Sequence, residues 1–463
     1  MSTLSLKDAT NTILSSPGVA SSLGRRWWSW SGPNGGKDHL EAPRCRNATP
    51  KQLMQMLSLL LALTVSLSPP ISSRLLLVGT AHIPTVRIAL QQARPGDTLR
   101  LLPGVYREHA LVVRVPLLIE GSQKAILDGE GKGEILRILA SGTTVRGLTL
   151  RGSGVSFLHE NAAIRVEEAS DCRIENNRIE DSFFGIYLAK AARCTVAHNF
   201  LFGKAEREVT SGNGIHLWYC RDILIRSNFI RRHRDGIYFE FVRNSLVDSN
   251  ISEANLRYGL HFMFSDSCRY TFNLFRENRA GVAVMYTRNV FVERNRFEHN
   301  WGTSAYGLLL KDISHSRIRH NLFLSNTTGL YSESSTHNVI DSNRFLANGW
   351  AVRLMASSTD NLFHGNSFVS NTMDLTTNST TSFNTFRANY WSRYRGYDLN
   401  RDGYGDVPFY PVSAFAILTE RYPALLLLLR SFVLEIWELA ERIFPVLIPS
   451  AIQDPYPLLK PVV

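Results

Sequence analysis

From residue 177 onward, apolar and polar positions recur with a nearly fixed step. An Asn recurs at Asn177, Asn199, Asn228, Asn250, Asn273, Asn295, Asn321, Asn343, Asn366 and Asn389, followed two residues later by a large apolar residue at each but Asn250, where Ser252 stands. The steps are 22, 29, 22, 23, 22, 26, 22, 23 and 23 residues. A Gly precedes this Asn by fourteen at Gly185, Gly214, Gly236, Gly259, Gly281, Gly307 and Gly329. A second Asn follows by five at Asn255, Asn278, Asn300, Asn326, Asn348 and Asn371. Each unit holds about three short alternating runs, such as "GIYFEF". A period of this length built from short strands means a solenoid. The predicted fold is all-β, a right-handed parallel β-helix: three sheets, one coil of 22–23 residues per repeat, with strands stacked ~4.8 Å apart. The Asn column reads as structural. Identical amides stacked coil on coil hydrogen-bond along the axis and tolerate left-handed turns.

The Gly column fixes which residues face in. The first and third residues after each Gly are apolar and face the core, as in Ile215/Leu217, Leu260/Phe262 and Val282/Val284. Alternation then turns the second and fourth outward. These are His216/Trp218, Tyr238/Glu240, His261/Met263, Ala283/Met285, Leu309/Lys311 and Tyr331/Glu333. A solenoid needs capped ends. Pro84–Glu108 predicts a short helix and first strand as the N-terminal cap. The longer steps place insertions at Gly203–Gly212 and near Trp301–Gly307.

The chain ends change character. Leu57–Leu67 is an apolar run of the length of a signal-peptide core, behind Lys51. The small pair Gly79 and Ala81 offers one cleavage site and the Ser72–Ser73 region another, so the mature chain is expected to start between about Ser72 and Thr85. After Pro411 comes "PALLLLLRSFVLEIWELAERIFPVLIPS", apolar but interrupted by Arg430, Glu435, Glu438, Glu441 and Arg442. It is too charged to span a bilayer and too apolar to stand alone in water, so it predicts an amphipathic helical tail docked on a partner. The expected boundaries are 1–50 for a leader or misread start, 51–81 for a signal peptide and 82–392 for the β-helix with its cap. An Asp/Asn-rich turn follows at 393–412 and the docking tail at 413–463. Composition adds one exclusion. The net charge of +11 is spread without a Lys/Arg block, so nucleic acid is not an expected partner.

Three sets of residues offer chemistry. Met263 and Met285 fall in one outward column on adjacent coils, beside His261, with His216 and Glu240 nearby. Neutral thioethers and imidazole suit Cu(I), and copper is the expected transient ligand. The same face, with Glu240, Lys311 and Glu333, also suits a polysaccharide lyase or hydrolase, though no close carboxylate pair forms. A noncatalytic scaffold whose Met residues are filler is the third alternative. Cys172, Cys194 and Cys268 share the parity of core residues; Cys172 and Cys194 lie on adjacent coils, within reach of a disulfide. "DLNRDGYGD" places Asp398, Asn400, Asp402 and Asp406 at positions one, three, five and nine of a calcium-type loop. Phe409 stands where that loop carries Glu, and an Asx-rich turn is the alternative.

From about Arg146 to the C-terminus the chain resembles the NosD family of nitrous oxide reductase maturation proteins. The pieces that carry the resemblance are "GNGIHLW", "RDGIYFEF", "GLHFMFS", "GVAVMYTRNVFVERNRFEHNWG", "AYGLLLKDIS", "NGWAVRL", "NYWSRYRGYDLNRDGYGDVPFYPV" and the apolar tail. The resemblance implies an exported, periplasmic β-helix protein without enzymatic activity. It implies work beside an ATP-binding-cassette transporter in assembling the copper–sulfur centre of nitrous oxide reductase. Its expected partners are the transporter's membrane subunit, bound through the C-terminal helices, the reductase and a copper chaperone. No copper ligand is carried over from the family.

Overall fold

A computed structural model describes residues 73–156, 159–379, 381–429, 431–443 and 452–462. The proposed leader, the Leu57–Leu67 run and Cys45 lie outside the described residues. Successive strands pair in parallel with the strand three places on, and this winds the chain into three sheets of 14, 13 and 12 strands among the described residues. Sheet 1 runs from Leu75–Val78 to Thr385–Arg387, sheet 2 from Gly104–Arg107 to Tyr390–Trp391, and sheet 3 from Leu111–Val113 to Met373–Thr376. This is the all-β, three-sheet solenoid that the period predicts.

The Asn columns are its internal spine. Asn177 Nδ2 donates to Asn199 Oδ1 at 3.1 Å, and the same bond repeats coil by coil to Asn389. Each of these oxygens also accepts the backbone N–H of the preceding ladder Asn. The left-handed conformation falls one residue earlier than expected. Asn176, His198, Ser227, Ser249, Phe272, Arg294, His320, Ser342 and Ala388 carry φ of 53–57°, while the ladder Asn residues do not. The amide is thus selected for its hydrogen bonds, and its neighbour makes the turn. A second row links Asn255 to Asn371 in the same way. Between the spines, Phe275, Phe297, Phe323, Phe345, Phe368 and Trp391 stack at 4.1–5.7 Å between ring centroids. The column glycines are required by close approach: a Cβ at Gly259 would lie 2.6 Å from Gly281 O.

The two ends refine the expected boundaries. At the N-terminus the first strand precedes the capping helix, where the sequence suggested the reverse order. Leu75–Val78 pairs with Thr98–Leu101, so the solenoid begins before residue 82. Helix α1, Val86–Gln92, then covers the open core with Val86 and Ala89. Thr85 Oγ1 accepts from Ile88 N at its start. At the C-terminus the 413–463 segment divides. Helix α2, Ala414–Arg421, seats Phe415 and Ala416 against Met373 of sheet 3, and Arg353 holds Glu420 through two bonds of 2.8 and 2.7 Å. Helix α3, Phe432–Ile443, joins it through Glu441, which accepts from Ala414 N and Trp437 Nε1. Residues 452–462 then return to the last coil as an end cap, not as part of a helical tail. Leu458 bridges Tyr390, and Asp454 bridges Phe409.

Candidate functional site

Sheet 3 presents the outward columns in the predicted register. Glu240, Met263 and Met285 are consecutive partners in one column. His216, Tyr238 and His261 are consecutive partners in the next. The two sulfurs therefore leave adjacent coils on the same side, one strand spacing of ~4.8 Å apart at the backbone. Met263 and Met285 are half-buried, as is Glu240. Tyr238 OH lies 3.8 Å from Met263 Sδ.

The imidazoles are placed differently. They were read as an open outer face, but His216 is 8% exposed and His261 6%. Aromatic side chains cover them. His216 meets the rings of Phe184, Tyr187 and Tyr238 at 5.2, 4.6 and 4.7 Å; His261 meets Tyr238 and Tyr258 at 4.9 and 4.6 Å. Burial pushes the His216 imidazolium pKa down to about 3, so the ring is neutral at neutral pH. Its Nδ1 lies 3.0 Å from the side-chain amide of Asn213, a contact that holds the ring in place. His261 Nδ1 faces Arg257 Nη2 at 3.3 Å and Asp235 Oδ2 at 3.8 Å, while its buried Nε2 has no hydrogen-bond partner. A buried polar atom left without a protein partner calls for an explanation, such as an ordered water or an ion. This nitrogen lies in the coil that carries Met263.

The residues behind His261 were not singled out from sequence. Asp235 is wholly buried, and Arg257 grips it with bonds of 2.9 and 2.6 Å. Burial pushes the Asp235 carboxyl up, but His261 and Arg257 together hold it below its ordinary value. The available signal was positional: Asp235 immediately precedes the column Gly236 where other coils carry Tyr258, Ala280 or Tyr306. An aromatic row was missed as well. Tyr219, Phe241, Phe264 and Tyr286 stack at 4.5, 5.3 and 5.1 Å, each five residues after a column Gly and 36–52% exposed. This row borders the methionine column.

Among the described residues no three His, Cys, Asp or Glu side chains converge on a point suited to a metal ion, and the methionine pair is a soft-donor arrangement of another kind. Cys172, Cys194, Cys220 and Cys268 are buried free thiols; Cys172 and Cys194 face backbone carbonyls at 3.3–3.8 Å. Burial raises the pKa of Cys220 to about 11 and of Cys268 to about 12. In the proposed calcium loop, Asp398 accepts from the amides of Arg401, Asp402 and Gly403. Asp402 accepts from Tyr404 N, Asn400 from Asp402 N and Asp406 from Leu399 N. These side-chain oxygens close an Asx-rich turn, the alternative that the sequence left open.

Residues 200–396 match the family described as periplasmic copper-binding protein (NosD), and residues 78–291 match a family of unknown function. A protein of Stutzerimonas stutzeri named "Probable ABC transporter binding protein NosD" is 30% identical over 415 residues, covering 85% of this chain and 94% of the relative. A Pseudomonas aeruginosa protein of the same name is 32% identical over 379 residues, covering 78% and 87%. The chain belongs to the NosD family. NosD proteins are thus described as periplasmic and copper-binding, and the two relatives as transporter-binding. Among solved structures, the A-module of the Azotobacter vinelandii mannuronan C-5 epimerase AlgE6 is 15% identical over 65% of this chain and 92% of its own, with a TM-score of 0.41. A GH87 alpha-1,3-glucanase catalytic domain is 11% identical over 70% of each chain, with a TM-score of 0.47. Those activities belong to those two proteins. No described helix is long and apolar enough to cross a membrane.

Proposed function

We propose that this protein is a periplasmic accessory factor that carries copper as cargo during assembly of the copper–sulfur centre of nitrous oxide reductase. It works beside an ATP-binding-cassette transporter and catalyses no reaction of its own. The observation that carries the reading is the pairing of Met263 with Met285 on adjacent coils, with His261, whose buried Nε2 has no protein partner, in the same strand as Met263. Thioethers need no deprotonation and favour Cu(I) over zinc. His261 supplies one stronger nitrogen donor, and Arg257 and Asp235 behind it fix the ring. Two sulfurs and one nitrogen retain an ion loosely enough for release, as a carrier must. Glu240 and His216 flank the group as the next candidates.

The test is Cu(I) titration of the purified chain against a chromophoric chelator, with reductase maturation as the second readout. Met263→Leu with Met285→Leu conserves volume and costs under ~1.5 kcal/mol of stability at each site. The expected result is loss of tight Cu(I) retention and of maturation, with the melting temperature near that of the parent. Unchanged Cu(I) affinity in a double variant that still supports maturation would return the sulfurs to packing.

A further inference from the structure

A second pair of metal-type donors lies away from the methionine column, in the turn from sheet 3 to sheet 1. His315 and His337 occupy the same turn position on adjacent coils. The parallel bridges Ser314↔Thr336 and Thr336↔Thr359 fix the coil register just before them, and His315 N donates to Thr336 O. Both residues are left-handed, with φ of 52° and 55°. Equal backbone geometry sends the two side chains out in the same direction. The imidazole rings stack 5.2 Å apart with an interplanar angle of 4°. Both residues are exposed, and no described protein group hydrogen-bonds either ring. The ring nitrogens are therefore free for a ligand.

We propose that His315 and His337 form a bis-imidazole site for a divalent first-row transition ion, Cu(II) first, separate from the Cu(I) column. An ion with metal–nitrogen bonds of ~2.0–2.1 Å needs its two donor nitrogens no more than ~4 Å apart. Tilting two rings stacked at 5.2 Å towards each other at their outer edges achieves this without moving the backbone. Imidazole suits Cu, Ni and Zn, and among divalent ions Cu(II) binds such a site most tightly. Water completes the coordination, because no third His, Cys, Asp or Glu converges there among the described residues.

The column itself supplies a mild substitution. The same turn position is held by Asp171, Asp222, Asn244, Asn289 and Asp360 on other coils, all left-handed. Asn is favoured in that conformation, so His315→Asn and His337→Asn preserve the turn. The experiment is titration of the untagged protein with Cu(II) chloride, followed by calorimetry and by the nitrogen hyperfine structure of the Cu(II) electron paramagnetic resonance signal. The parent binds one equivalent with two nitrogen donors. Loss of an outer-shell partner alone costs about 10- to 100-fold in metal affinity, so loss of either imidazole weakens the site by at least that much. The double variant loses the equivalent, while its circular dichroism and melting temperature stay those of the parent. The Met263→Leu, Met285→Leu variant keeps the equivalent, which separates this site from the proposed Cu(I) cargo site. A parent without a two-nitrogen equivalent would overturn the proposal. So would a double variant that retains it.

Discussion

Asp454 Oδ2 accepts the side-chain amide of Asn389 at 3.0 Å and ends the ladder that begins at Asn177. The same carboxylate takes Asn389 N, Trp391 Nε1 and, through Oδ1, Ala388 N. A carboxylate, with acceptors only, is the right group where four donors of a last coil would otherwise end dry. Asp454→Ala should destabilise the solenoid by about 3 kcal/mol or more, counting roughly 1–3 kcal/mol for each donor left unsatisfied. Thermal or denaturant unfolding checks this. Asp454→Asn, which keeps one acceptor oxygen, should fall between that variant and the parent.

The opposite end bears on export. Arg74 donates to Asp97 Oδ1 through its Nε at 3.3 Å, and Asp97 is 1% exposed. The bond from Arg74 holds the Asp97 carboxyl down to about 2, against about 3.9 in an unfolded chain. A depressed carboxylate stabilises the fold above its unfolded pKa and ceases to do so as pH falls towards its folded one. This contribution should be complete above about pH 5 and lost between about pH 4 and 2. Arg74→Ala should flatten that part of the stability profile. Leu75–Val78 is also a paired strand, so we expect processing upstream of Arg74 and not at Gly79–Ala81. Mass spectrometry of the exported protein checks the position; a mature chain starting at His82 would lack the first strand of sheet 1.

His216 acts in the same direction over a higher pH window. Its folded pKa is about 3 because of burial, against about 6.5 unfolded. Between these values the unfolded chain binds a proton that the folded chain does not, so stability should fall as pH drops from about 6.5 towards 3. His233, also buried and lowered to about 4, adds to the same slope. His216→Phe should reduce the slope over that window, read as melting temperature against pH. An unchanged slope would mean that the ring takes up its proton within the folded state.

The solenoid was legible because its determinants are periodic. The Asn column, the Gly fourteen residues earlier and the alternation after it all survive in one dimension. One coil step therefore places Met263 beside Met285 without any structure. What alternation does not carry is whether an outward face is open. His261 points outward by parity yet is 6% exposed, because Tyr238 from the neighbouring coil and Tyr258 and Arg257 from its own close over it. Asp235 and Arg257 are 22 residues apart in the chain and joined only by the winding. The end cap was hidden for the same reason. Asp454 lies 65 residues beyond Asn389, after an apolar segment that disguises it as part of a helical tail.

That last point changes how the proposed transporter contact is to be tested. Removing everything from Ser413 onward would delete the docking helices and also Asp454, so a loss of co-purification would not separate binding from unfolding. The surface to alter is α3. Phe432, Val433, Ile436, Leu439 and Ile443 are 51–73% exposed, an apolar row larger than scattered surface side chains explain. Its far side is anchored, since Glu441 ties α3 to the start of α2. Phe432→Ser, Ile436→Ser and Leu439→Ser together remove exposed apolar area, leave Glu441 and the 452–462 cap in place, and should move the melting temperature by little. If α3 binds the membrane subunit, this triple variant should be more soluble than the parent and no longer co-purify with the transporter. Co-purification at the parent's level, from a variant that melts as the parent does, would move the contact to the solenoid.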